Sequence, residues 1–344
     1  MVDVCFQIVT SPEKVRGFRR SLLRWFRLNA RDLPWRRTCD PYAILVSEFM
    51  LQQTQVATVI PYYSKWLRRF PDFNSVARAP QNDVLHAWQG LGYYSRARNL
   101  HAASKIVRDQ HSGILPGDIV ALRKLPGVGR YIANAVATFA FNQSLPIVEA
   151  NSSRVLARLL DMRGSIDSAI SREKLWEYAT RLVPKHNPAR FNSALIDLGA
   201  LVCLPNKPKC TICPVEGFCR AKNPETLPIK KNKARTRRLV ERHAFVARNG
   251  RVLLEQSFTR WRGMWILPRL ETEAFGRPLY RSTFPFTNHQ IGLLVYRRAT
   301  QKTIGPARKW FKSIDDIPMP SPHRRAAQAL LAQKKQYDHA GSGC

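Results

Sequence analysis

The stretch that most restricts the fold is Leu125–Asn151, LPGVGRYIANAVATFAFNQSLPIVEAN. It holds a glycine hairpin, an apolar segment of helical length, and a carboxylate, Glu149, ahead of another helical pattern. Gly127 and Gly129 let the backbone approach a neighbouring group closely and leave N–H groups free. The helix that follows turns its positive end toward the same place. With helical periodicity on both sides, Leu125–Gly129 reads as the turn of a helix–hairpin–helix, which grips a phosphate backbone without reading bases. Gly127 and Gly129 are therefore candidate DNA-contact residues. Ile147–Ala150 reads as extended, and Asn151 is expected to cap the helix SSRVLARLL. A carboxylate at such a helix start is favoured in its ionised form by the dipole.

A net charge of +32 on 344 residues favours a polyanionic partner, and the basic residues are spread over many segments. A 44% apolar fraction fits a globular chain with a substantial core, and the length suggests two domains. No run of about 18 apolar residues occurs, so no membrane partner is expected. The start, MVDVCFQIVTSPEKVRG, lacks the pattern of a secretory signal. The expectation is an intracellular protein on chromosomal DNA, in a bacterial cytoplasm, acting as a monomer.

Ser11-Pro12 reads as a helix start, with Val15, Phe18, Leu22 and Phe26 on one face and arginines on the others. Asp40-Pro41 opens a second helix, in which Glu48 sits among Ile44, Leu45, Phe49, Met50 and Leu51. Glu48 either faces solvent or is desolvated, and desolvation would keep it protonated near neutral pH as a proton donor. Gly90–Arg98 (GLGYYSRAR) mixes glycines, tyrosines and arginines. It reads either as a nucleic-acid contact loop including Tyr93 and Arg96 or as a packed helix junction.

Four of the seven cysteines fall in a Cys203-x6-Cys210-x2-Cys213-x5-Cys219 loop. Four thiolates so close suit zinc or an iron–sulfur cluster, and one CxxC with wider gaps fits a cubane better. Pro224–Arg238 is polar and rich in lysine and arginine, and reads as a linker. Beyond it the pattern changes to strands: HAFVAR and RVLLEQ around an Asn249-Gly250 hairpin, then IGLLVYRR, and a closing helix from Arg324. Gln336–Cys344 is expected to be disordered. The organisation expected is a helical domain over 11–223, a linker over 224–238 and an α+β domain over 239–344.

SEFMLQQTQVATVIPYY, GLGYYSRARNL, LPGVGRYIANAV and the four-cysteine loop together resemble the MutY-type adenine DNA glycosylases of the helix–hairpin–helix superfamily. The resemblance is dense from Leu33 to Arg220. It continues more weakly at Trp261–Trp265 and Leu267-Pro268, which look like the NUDIX-like module of that family. It implies a mainly α glycosylase fold with a [4Fe-4S] loop, followed by a smaller α+β NUDIX-like domain. It implies a [4Fe-4S] cofactor on Cys203, Cys210, Cys213 and Cys219. The partner it implies is double-stranded DNA carrying adenine opposite 8-oxoguanine or guanine. Gln53 and Tyr93 stand at positions that wedge into the duplex while the target base leaves the stack. Glu48 stands at the general acid's position. Glu149 stands at the second carboxylate's, with Tyr131 and Asn151 at positions that support it.

The chain departs from that pattern in two places. The family's Asp-Gly-Asn triplet is Glu149-Ala150-Asn151 here, which lengthens the side chain and removes a glycine. The family's lesion-sensing Phe-Ser-His element has Phe286-Thr287-Asn288-His289 as its nearest match, so Thr287, Asn288 and His289 are candidate lesion contacts or simple turn residues. The module lacks the Glu-rich box of NUDIX hydrolases, so it is not expected to hydrolyse nucleoside diphosphates. The lysine that a glycosylase/lyase needs for a Schiff base is replaced by Tyr131, and a related one by Ser153. The alternatives are a related mismatch glycosylase and a catalytically silent lesion binder.

Overall fold

The computed structural model describes residues 11–231, 236–270, 276–298 and 307–340, with side chains up to 333. The N-terminal segment read for a signal, Cys5, Cys344 and part of the basic linker lie outside the described residues. The helices in chain order are α1 (Pro12–Asn29), α2 (Pro41–Leu51), α3 (Val56–Arg69), α4 (Phe73–Arg78), α5 (Gln81–Ala87), α6 (Ser95–His111), α7 (Ile119–Lys124), α8 (Arg130–Phe141), α9 (Ala150–Leu159), α10 (Ala169–Leu182), α11 (Pro188–Leu201) and α12 (Ser321–Ala340). The strands are β1 (Arg237–Phe245), β2 (Ala247–Arg248), β3 (Arg251–Gln256), β4 (Trp265–Ile266), β5 (Tyr280–Phe286), β6 (His289–Arg297) and β7 (Arg308–Phe311). Two compact units result: Met1–Asn74 with Ala102–Asn232, and Ser75–His101 with Lys233–Cys344. The segment from 75 to 101, which the sequence placed in the helical domain, groups with the C-terminal strands.

The first unit is helical. Val15, Phe18, Leu22 and Phe26 of α1 are buried at the expected spacing, against Leu156 of α9, Tyr178 of α10 and Phe191, Leu195 and Leu198 of α11. Phe18 also meets Phe218 of the cysteine loop edge-on, with ring centroids 5.9 Å apart. In α2, Pro41 occupies the first turn, and Asp40 accepts from the N–H groups of Tyr42 and Ala43. Tyr42 through Met50 are all buried, so α2 has no solvent face along that run. Among the described residues, no helix is long and apolar enough to cross a membrane.

The second unit is α+β. β1 runs parallel to β6, β5 pairs antiparallel with β6, and β2–β3–β4 with β7 form a second sheet. The Asn249-Gly250 turn joins Arg248 to Arg251, with φ of 48° and 68°, as a two-residue hairpin of that sequence requires. Two expectations are corrected. β1 begins at Arg237, inside the stretch read as linker, because the Arg237 N–H donates to Asn288 and its residue pairs with His289. Helix α12 continues through Ala340, well into the stretch expected to be disordered. The Gly90–Arg98 segment is a tight junction with φ of 106° at Gly90, 70° at Gly92 and 46° at Tyr93, ahead of α6.

Leu22 has no exposed surface in the helical core, so Leu22→Ala is expected to cost about 3 kcal/mol through lost burial and a residual cavity. Chemical denaturation of the variant against wild type measures this.

Candidate active site

Glu48 lies on α2 with 4% of its surface exposed. The Tyr131 hydroxyl, on the first turn of α8, donates to Glu48 Oε2 at 2.5 Å. Burial pushes the Glu48 carboxyl up to about 7; the Tyr131 bond works against this and the charge of Glu149 adds to it. The solvent-facing alternative for Glu48 is thereby excluded. A carboxyl with this affinity carries its proton in roughly half of the molecules at neutral pH.

Glu149 is itself the helix cap, which corrects the assignment of that role to Asn151. Its backbone is extended (φ −126°, ψ −174°), and Oε1 accepts from the N–H groups of Asn151 and Ser152 at 2.8 Å each. Ser152 Oγ in turn accepts from the Glu149 N–H at 2.8 Å, closing a capping box. Asn151 Nδ2 donates to Oε2 at 3.3 Å. The longer side chain therefore folds back to place its carboxylate on the start of α9. Ala150 sits in the first turn of the helix and is not among the residues with positive φ, so the glycine is not needed there. Burial raises the Glu149 pKa, against the lowering by the Asn151 and Ser152 amides and by Arg154 and Arg31. Expectation and structure differ here: the helix start does favour the anion, but desolvation outweighs it.

Sequence reasoning missed the groups behind this cap. Arg154 Nη2 donates to Asn151 Oδ1 at 2.9 Å and to the Gly199 carbonyl at 2.6 Å, while its Nε donates to the Cys203 carbonyl at 2.7 Å. A cation three residues beyond Asn151 on a mostly buried helix was the available signal. A Cβ on Gly199 would lie 2.7 Å from Asn151 Cβ and 2.8 Å from its carbonyl oxygen, so α11 meets α9 backbone to backbone. On the same helix, buried Asp197 accepts from Arg31 at 2.6 Å and from Arg36 at 2.8 and 2.9 Å. Burial alone would raise its pKa, but the Arg36 and Arg31 donors hold it below the usual carboxylate range.

The four cysteines of the loop form no disulfides. Burial pushes the Cys213 thiol up to about 11, and the charges of Cys203, Cys219 and Cys210 add to the rise. Arg158 is 1% exposed and donates to the carbonyls of Leu227, Leu204 and Pro205 and, at 3.2 Å, to Cys203 Sγ. A buried guanidinium needs an anion close by. Four thiolates around a metal supply net negative charge at that place, so the residues present fit such a group.

Other candidates are placed as follows. Gly127 has φ 79° and is exposed; Gly129 heads α8 with open space where a Cβ would stand. Leu125 and Val128 anchor the hairpin by burial, leaving its glycine backbone outward. Gln53 and Tyr93 are both exposed and both left-handed, with φ of 55° and 46°. Arg96 points inward, unlike the contact residue expected. Its Nη2 donates to the Leu91 and Gly92 carbonyls at 3.0 and 3.1 Å, its guanidinium lies against Trp88 and Tyr93, and burial lowers its pKa to about 10. Its donors are turned to the carbonyls of the tyrosine loop, which it shapes. Thr287 and Asn288 form the exposed two-residue turn between β5 and β6, while His289 is half-buried and paired with Phe286.

Residues 46–181 match the family described as HhH-GPD superfamily base excision DNA repair protein. The adenine DNA glycosylase of Mycolicibacterium smegmatis is 42% identical over 200 residues, 58% of this chain and 67% of that protein. The chain belongs to the MutY-type adenine DNA glycosylase family. The human adenine DNA glycosylase is 44% identical over 226 residues, which cover 63% of this chain and 41% of that protein. The chain thus spans less than half the length of the human relative. Among solved structures, a thermostable thymine-DNA glycosylase superposes with a TM-score of 0.56 at 31% identity, over 60% of this chain and 95% of that one. Against the family's Asp-Gly-Asn triplet, this MutY-type member keeps a carboxylate on the helix start by a longer route.

Two outcomes follow. Gly199→Ala is expected to destabilise the fold by about 2–4 kcal/mol, since the Cβ clash is with backbone that cannot turn aside; thermal denaturation checks it. For Glu48, the folded pKa of about 7 exceeds the unfolded value of 4.5, so the buried acid is tolerated below the unfolded pKa and destabilises as pH rises through the folded one. Glu48→Gln is expected to be more stable than wild type at pH 8 by up to about 3 kcal/mol, the gap closing toward pH 4. Equal pH profiles of stability would contradict the assignment.

Proposed function

We propose that the chain is a monofunctional DNA glycosylase that excises adenine paired with 8-oxoguanine or guanine, as a step of base excision repair. The observation that carries this reading is the pair of electrostatically coupled carboxyls: Glu48, desolvated and proton-bearing, and Glu149, donor-bound at a helix start. The adenine glycosylases named above supply the substrate class.

In this reading the glycine hairpin holds the DNA backbone through Gly127 and Gly129. Gln53 and Tyr93, held outward by left-handed backbones, fill the space that the target nucleotide leaves on rotating out of the stack. Glu48 delivers its proton to the base at N7, which turns adenine into a tolerable leaving group. Tyr131 keeps the carboxyl oriented. As the glycosidic bond opens, positive charge builds on the sugar, the Glu149 carboxylate stabilises it, as paired carboxylates do in glycoside hydrolysis, and water adds at the anomeric carbon and loses a proton to leave the abasic sugar. Asn151, held by Arg154, keeps Glu149 in place. Thr287, Asn288 and His289 are proposed to contact the opposing lesion, with Thr287 and Asn288 at the turn's tip.

The four cysteines are proposed to hold a [4Fe-4S] cluster. When bound, it supplies a rigid tetrathiolate anchor for the loop after α11. The absence of a lysine at Tyr131 and Ser153 supports hydrolysis without a lyase step.

The reading is tested by single-turnover excision from duplexes with adenine opposite 8-oxoguanine, guanine or cytosine, with thymine opposite guanine as a further arm. Adenine release opposite 8-oxoguanine is expected to be fastest, declining on the alkaline side with a midpoint near 7 as Glu48 loses its proton. Glu48→Gln and Glu149→Gln abolish excision, and Glu149→Asp retains or raises it. Wild-type rates in the Glu149→Gln variant, or release of thymine in place of adenine, would overturn the proposal. Tight mismatch binding without an abasic product would favour a silent lesion binder.

A further inference from the structure

In the α+β unit, three ligand atoms converge away from the carboxylate pair. Glu241 and His243 sit two residues apart on β1, so both side chains leave the same face of the strand. His323 joins them from the first turn of α12. One ligand atom from each lies within 4.8 Å of the other two. His243 and His323 are 1% and 0% exposed, and their rings meet edge-on with centroids 4.6 Å apart.

The polar atoms at this place are incompletely used. Glu241 Oε2 and His323 Nε2 are shut off from solvent and have no hydrogen-bond partner. His243 Nε2 stands 3.9 Å from Glu241 Oε2, too far for a hydrogen bond. Two unpartnered polar atoms on residues of one buried cluster call for a further partner. The surroundings indicate its sign. His243 Nδ1 is 2.6 Å from the Leu267 carbonyl, so that nitrogen carries a proton and Nε2 is left to face Glu241. Orientation of a ring through its far nitrogen by a carbonyl is the arrangement that metal-bound histidines share. Arg260 holds Glu241 Oε1 at 2.6 Å and leaves Oε2 for another partner.

The geometry points to a zinc-class metal site formed by Glu241, His243 and His323 in the α+β unit. Two imidazoles and one carboxylate suit a borderline ion such as zinc and not magnesium or calcium, which take oxygen ligands. Two features oppose the ion. The guanidiniums of Arg260 and Arg269 repel a cation. The Leu267 N–H also donates to His323 Nδ1 at 3.3 Å, and this long bond is given up when Nε2 takes the metal and the ring proton moves to Nδ1. The ion would join β1 to α12 through side chains and, by way of His243, to the Leu267 backbone. Its role is to staple a small unit, and it is independent of adenine excision.

The test uses the full-length protein with its iron content measured, equilibrated with zinc and then freed of loosely held metal. Wild type is expected to keep one zinc per chain beyond its iron and to melt at a higher temperature with zinc than without. X-ray absorption at the zinc edge should show nitrogen and oxygen ligands at about 2.0–2.1 Å and no sulfur at about 2.3 Å. His323→Gln and Glu241→Gln should lose the zinc and the melting shift with iron content unchanged. Should His323→Gln fail to fold, the wild-type absorption spectrum and Glu241→Gln still decide. The site is refuted by wild type that retains no zinc, by sulfur ligation of the zinc, or by variants that retain as much as wild type.

Discussion

The bond between a side-chain carboxylate and the start of its own helix is the interaction on which the candidate site depends. Glu149 satisfies two of the free N–H groups of α9, and Ser152 returns the favour to the Glu149 backbone. From there, polar links run outward: Asn151 to Glu149, Arg154 to Asn151, and Arg154 to the carbonyl of Cys203. The position of the carboxylate is therefore set by the helix start, by the close meeting of α9 and α11 at Gly199, and by the loop that begins where α11 ends. None of these groups is adjustable alone, because each hydrogen bond fixes the rotamer on which the next one depends.

Glu48 is positioned by the opposite means. α2 is buried along almost its whole length, so the carboxyl is surrounded by apolar neighbours and receives the Tyr131 hydroxyl. Burial of this acid opposes folding at neutral pH, and the helix tolerates it because eight neighbouring positions, Tyr42 to Ser47 with Phe49 and Met50, contribute to the core. Two electrostatically coupled carboxyls thus have different environments: one receives a side-chain hydroxyl, and the other two backbone N–H groups. That contrast gives the two carboxyls different proton affinities: nothing from the backbone offsets burial at Glu48, and two amides partly offset it at Glu149.

Much of the helical unit was legible from periodicity and caps. The α1 stripe, the Asp40-Pro41 start and the glycine hairpin are local signals, and local signals survive in sequence. The carboxylate inside α2 was visible as an anomaly, though its burial needed the fold. What escaped were dependencies between distant segments. Arg154 reads as one more arginine in a chain of net charge +32, and only the approach of Gly199 and Cys203 shows that it is enclosed. Arg96 misled for the same reason: a basic residue between tyrosines looks like a phosphate contact until loop carbonyls claim it. The start of β1 was hidden because a parallel partner far along the chain, not the local composition, makes Arg237 a strand residue.

The two changes in the triplet act on the ordering of the helix start in different ways. A glutamate must bend to reach amides that a shorter aspartate meets directly, which confines a side chain with one more free rotor. Alanine in place of glycine at the next position confines the unfolded backbone instead, and where the native angles are helical such a change favours folding by about 0.4–1 kcal/mol. One substitution adds an ordering cost and its neighbour removes one. At Glu149 and Ala150 the two effects on folding oppose each other, while a carboxylate stays on the helix start.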